Sequence, residues 1–136
     1  MAYNFEHYGD MYIEFDGSLD QLNLRIDSIL SAKSDKRGAY ESGLALYVSE
    51  NKIRKHGKNL DCSDFLNYKY IVEFDSVKQD NQESIPKDMK KYLDQVFMIV
   101  KLLRAEGALV VVNCDFNDLL VKETGWNWSE ETPEHP

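Results

Sequence analysis

Residues 84–116, SIPKDMKKYLDQVFMIVKLLRAEGALVVVNCDF, decide the fold. Met89, Tyr92, Leu93, Val96, Phe97, Val100 and Leu103 recur at steps of three and four, which gathers them on one side of a helix. Ser84 and Pro86 supply a start, and Gly107 supplies a stop through left-handed backbone. Leu109-Val110-Val111-Val112 lacks alternation and reads as a strand covered on both faces. A long helix returning into a strand is half of a helix-on-sheet domain. It names no chemistry.

The same grammar recurs upstream. Met11, Ile13 and Phe15 alternate with Tyr12, Glu14 and Asp16, so residues 11–16 form a strand. Gly9-Asp10 reads as a two-residue turn joining it to residues 3–8 in an N-terminal hairpin. Ser18-Leu19-Asp20-Gln21 has the form of a capping box, and Leu19, Leu22, Ile26, Ile29 and Leu30 give the helix after it a buried stripe. Residues 33–43 are polar and hold two glycines, which makes a loop. Residues 44–50 and 68–75 alternate as strands, with an irregular stretch at 56–67 that includes a helical turn at 63–66.

The element order is strand, helix, strand, strand, helix, strand, and the two strand-to-helix entries share text: Ile13-Glu14-Phe15-Asp16-Gly17 and Val72-Glu73-Phe74-Asp75-Ser76. This predicts an α+β fold in which two helices pack on one face of an antiparallel sheet. The architecture is ferredoxin-like βαββαβ with an added N-terminal hairpin strand. Residues 1–122 form the single domain. Residues 123–136 form an acidic tail with four glutamates and two prolines, partly disordered.

Composition narrows function. A chain of 136 residues, 43% hydrophobic and 29% charged, is an ordinary globular domain. It has no run long enough for a membrane span and no signal-peptide pattern at the start, so a cytoplasmic location is expected. Cys62 and Cys114 lie far apart in no ligand-like spacing, and read as free thiols. In that setting the sequon Asn127-Trp128-Ser129 is a chance match. The net charge of −8 is uneven: residues 33–58 carry seven basic side chains against three acids, leaving −12 on the rest. Such a surface repels nucleic acid outside Arg54-Lys55-His56 and steers a basic protein inward.

Two site hypotheses compete for the strand-end carboxylates. If the first and third core strands are adjacent and parallel, Asp16 and Asp75 sit side by side with Glu14 and Glu73 one step inward, a layout able to hold Mg²⁺. There is no glycine-rich phosphate loop to accompany it, and the simpler role of both aspartates is to face the positive N-termini of the following helices. No metal and no cofactor are expected. His56 near Cys62 lacks an orienting third group, so no catalytic residue is assigned. The second hypothesis is recognition. With the alternating apolar residues turned to the helices, the open face shows Tyr12, Glu14, Asp16, Tyr47, Lys69, Ile71 and Glu73, near Asp75, and aromatic residues among acids suit a basic partner. Trp126 and Trp128 either cap the domain or enter a partner.

In size, acidity, lack of a catalytic motif and aromatic–acidic surface, the chain resembles the immunity proteins of bacterial polymorphic-toxin and contact-dependent-inhibition systems. The resemblance implies an antitoxin-type, non-enzymatic protein that occludes the active site of a basic toxin domain, such as a nuclease, with Glu14, Asp16, Glu73 and Asp75 meeting its Lys and Arg residues. A ferredoxin-like enzyme or regulatory subunit binding a metal or small ligand is the alternative. A homodimer formed through the open sheet is a third.

Overall fold

The computed structural model describes residues 5–35, 38–40, 42–52, 62–77, 86 and 88–136, with backbone alone for 62–64. Tyr3 and Asn4, the Arg54-Lys55-His56 patch, the 78–83 connection and Ser84 lie outside the described residues.

Four strands, β1 (Gly9–Glu14), β2 (Leu44–Glu50), β3 (Tyr70–Ser76) and β4 (Leu109–Cys114), form one sheet in the order β2-β3-β1-β4, every neighbouring pair antiparallel. Helices α1 (Leu19–Leu30) and α2 (Met89–Ala105) cover one face, and a short α3 (Asn117–Thr124) follows β4. Among the described residues the fold is α+β with a four-stranded antiparallel sheet and three α-helices. None of these helices is long and apolar enough to cross a membrane.

Local chemistry explains the helix ends. Ser18 Oγ accepts the Gln21 N–H at 3.1 Å and the Gln21 side chain accepts the Ser18 N–H at 2.7 Å, the reciprocal box its sequence announces. α1 closes at Ser31 in a left-handed conformation, φ 52°, that glycine would adopt more easily. α2 begins later than Ser84 and Pro86 suggest. Asp88 is its cap, accepting the Lys91 N–H at 3.1 Å, because its carboxylate both bonds an orphan donor and faces the positive helix end.

The helix-facing core takes Met11 and Ile13 from β1, Leu44 and Leu46 from β2, Tyr70, Val72 and Phe74 from β3, and Val110 and Val112 from β4. Against them lie Leu22 and Ile26 of α1 and Tyr92, Val96, Ile99, Val100 and Leu103 of α2, as their periodicity requires.

The N-terminal hairpin is not formed. Gly9 and Asp10 lie inside β1, paired with Phe74 and Glu73 on one side and with Cys114 and Asn113 on the other. A Cβ on Gly9 would stand 2.6 Å from the Asn113 carbonyl oxygen and 2.7 Å from the Phe74 ring, so this glycine serves close packing in a central strand.

The opposite sheet face is half covered. Tyr68, Val111 and Trp126 form a second buried cluster there, with Tyr12, Phe65, Leu109 and Trp128 packed around it. The 3₁₀ turn Cys62–Asn67 brings Phe65 to this cluster, and the segment after α3 brings both tryptophans.

Candidate functional site

The antiparallel register of β1 and β3 separates the proposed carboxylate pair. Ile13 opposes Tyr70 and Gly9 opposes Phe74, so Asp16, beyond the end of β1, and Asp75, at the far end of β3, lie at opposite ends of the sheet. Glu14 opposes Leu109, while Glu73 opposes Asp10. The shared Mg²⁺ site weighed against the simpler role of Asp16 and Asp75 therefore has no geometric basis. Among the described residues no three His, Cys, Asp or Glu side chains lie close enough to hold a metal ion.

The acids instead divide between two grooves. The first, of about 780 Å³, lies where β1 and β2 begin and β3 and β4 end. Among the described residues its lining includes five carboxylates, Glu6, Asp10, Glu73, Asp75 and Asp115, with Tyr8, Tyr47 and Asn113, and no Lys or Arg. The strand register builds its floor. Tyr47 opposes Glu73, Glu73 opposes Asp10, and Asp10 opposes Asn113, one continuous row across all four strands on the face away from α1 and α2. Directly opposed residues in an antiparallel pair have Cβ atoms only about 5 Å apart, and like charges there are unfavourable. Burial raises the Asp10 carboxyl above its ordinary value. Tyr8 and Tyr47 stand 52% and 63% exposed, two aromatic rings open to solvent beside the acids.

Asp75 is held in position. Its Oδ1 accepts the Ser76 N–H at 2.7 Å and lies 2.9 Å from His7 Nε2, while Ser76 Oγ lies 3.0 Å from the same nitrogen. His7 is itself fixed from behind, since the buried Tyr92 hydroxyl donates to its carbonyl at 2.6 Å. A serine–histidine–aspartate relay requires the two imidazole nitrogens to serve different partners. Here Nε2 faces both oxygens, so the arrangement orients the carboxylate.

The second groove, at the other end of the sheet, contains Glu14, Asp16 and Glu50 together with Lys52 and Lys69, so its charges nearly balance. Glu14 is engaged internally, accepting the Lys69 backbone N–H at 2.8 Å.

Of the residues singled out from sequence, Tyr47, Glu73 and Asp75 therefore meet in the first groove, and Glu14 and Asp16 fall in the second. Tyr12 and Trp128 are half-buried, each packing against Phe65, and Trp126 is buried, its indole N–H donating to the Thr132 carbonyl at 3.0 Å. These three rings belong to the second core. Sequence reading missed Glu6, Tyr8, Asp10 and Asp115, because a hairpin at Gly9-Asp10 puts Glu6 and Tyr8 on a separate strand and Asp10 in its turn. Cys114 borders the groove, but burial pushes its thiol up to about 11, away from nucleophilic use at neutral pH.

Comparison with protein-family models, with curated proteins and with solved structures found no match for this chain.

Proposed function

We propose that this chain is an immunity-type binding protein whose first groove receives basic side chains of a partner domain and so blocks that domain's working surface. The observation that carries this reading is the groove itself: five carboxylates and two exposed tyrosines, with no Lys or Arg among the described residues that line it. Like charges opposed in register are unfavourable for the folded chain alone, and an arriving guanidinium or ammonium turns that repulsion into attraction. The tyrosines supply rigid apolar contact and a face for stacking cations, while the surrounding negative charge speeds encounter. A nuclease domain fits well as partner, because carboxylates set where its phosphate ligand would sit occlude the site without catalysis.

The strand order β2-β3-β1-β4, with helices after β1 and β3, supports a ferredoxin-like βαββαβ reading of the domain. Such a protein would work in the cytoplasm, where a producing cell must be protected. The test is whether a basic domain is encoded beside this chain's gene and co-purifies with the chain. Asp10→Lys plus Glu73→Lys is expected to weaken that binding at least a hundredfold, mainly through faster dissociation. Unchanged affinity in the double variant would refute the assignment.

A further inference from the structure

β4 is an edge strand, yet its edge is closed. Val110 and Val112 turn their backbone polar groups away from β1, and each group meets a side chain from elsewhere in the chain. Asn127 Oδ1 accepts the Val112 N–H at 3.0 Å, and Asn127 Nδ2 donates to the Val112 carbonyl at 2.8 Å, which reproduces with one amide the double bond of a strand pair. His135 Nε2 accepts the Val110 N–H at 3.3 Å, and Arg104 donates to the Val110 carbonyl at 2.8 Å through Nη2. Arg104 also ties the covering segment down, donating to the Trp126 carbonyl at 2.8 Å with its guanidinium 5.2 Å from the indole ring centre.

Beneath this cover lies an uncharged run, Leu109 followed by the β-branched Val110-Val111-Val112, of the kind that pairs readily when its edge is free. We propose that residues 126–135 form a strap over a strand-addition edge, and that the strand fitted to that edge is β4 of a second copy of this chain. The geometry favours a copy over an unrelated strand. A two-fold axis through Val111 would place Val110 opposite Val112 in both directions, which satisfies all four outward groups of each strand at once. It would set Leu109 opposite Asn113 and oppose no like charges. Closing the edge with side chains keeps the sheet from extending, and the strap is the element that must leave for it to do so. This inference is independent of the groove and its partner.

The test is Asn127→Ala in the full chain, read by light scattering from 10 to about 500 μM and by amide hydrogen exchange. The expected result is a concentration-dependent dimer in the variant only. Val110 and Val112 amides should exchange at least tenfold faster in its dilute monomer and regain protection in the dimer, with β1 and β3 amides protected throughout. Adding Val112→Pro removes one edge donor at a position where proline is tolerated on an open edge, and should abolish the dimer. A variant that stays monomeric at all concentrations with its β1 and β3 amides protected overturns the proposal. So does a dimer that survives Val112→Pro. If Asn127→Ala exposes β1 and β3 amides as well, Asn127→Asp, which keeps the acceptor and replaces the donor with a carboxylate oxygen facing the Val112 carbonyl, is read in the same way.

Discussion

Glu73→Lys should make the isolated protein more stable while destroying its proposed binding face. Glu73 and Asp10 oppose each other across the β1–β3 ladder, and among the described residues no Lys or Arg lines the groove around them. With Cβ atoms about 5 Å apart, the two charges repel by at most roughly 0.8–1.7 kcal/mol at an effective dielectric between 40 and 80, less where the carboxylates turn apart, and salt lowers this further. Cross-strand pair measurements run from about 0.2 to 1 kcal/mol. Reversing one charge removes the repulsion and adds a comparable attraction, so a net gain of about 1 kcal/mol is expected. For a chain of this size that corresponds to a rise in Tm of roughly 3–5 °C at low salt. Thermal unfolding followed by circular dichroism at low and high ionic strength measures it, with Glu73→Gln expected to give about half the gain. The gain should shrink at 0.5 M salt. A fall in Tm, or a rise that salt does not reduce, would refute the idea that these acids are held together against their own repulsion.

Other perturbations probe separate parts of the structure. Gly9→Ala should cost about 2 kcal/mol in chemical unfolding, since its Cβ would meet the Asn113 carbonyl oxygen at 2.6 Å. Ser31→Gly should stabilise by about 0.5 kcal/mol, because it relieves a left-handed serine at the end of α1. Arg104→Ala should cost roughly 2–4 kcal/mol and release the strap, since its guanidinium bonds the Val110 and Trp126 carbonyls and the Thr124 hydroxyl. Burial holds Arg104 down at about 10, still charged at neutral pH. The strap should also loosen with acid. Because the Val110 N–H donates to His135 Nε2, the His135 proton sits on Nδ1, facing the Pro136 carbonyl at 3.1 Å. Burial, and then the nearby Arg104 charge, lower the His135 pKa below its ordinary 6.5. A histidine depressed in the folded state adds stability that is fully present above the unfolded value and is lost as pH falls through the folded one. The Trp126 indole N–H resonance should therefore shift below about pH 6.5 in the native chain, and His135→Gln should remove that step.

Much of the fold was legible because period and caps are local. The stripe from Met89 to Leu103 and the Ser18–Gln21 box each concern neighbours within a turn or two, and both stand as read. Gly9-Asp10 misled because the same dipeptide suits a tight turn and a strand crossed closely by its neighbours; only the packing of Phe74 and Asn113 decides between them. Strand direction is a property of the whole chain path, and no residue of β1 or β3 encodes it locally. Asp16 and Asp75 come together only if β1 and β3 are parallel neighbours, which an antiparallel sheet excludes, and the register puts them at opposite ends. Tyr47, Glu73 and Asp75 could be found from alternation alone, whereas Asp10 and Asp115 join them only once β1 is seen to run between β3 and β4. Asn127 gave no sign of its role, since a side chain that imitates a strand carries no sequence pattern.

The most direct test of the binding face is chemical-shift mapping of the ¹⁵N-labelled protein titrated with hexa-arginine at low salt. The groove should respond first: the largest changes at Tyr8, Asp10, Tyr47, Glu73 and Asp75, saturating together and disappearing in Asp10→Asn plus Glu73→Gln. Changes centred on Glu14, Asp16 and Glu50, or spread evenly over the outer faces of α1 and α2, would contradict the assignment.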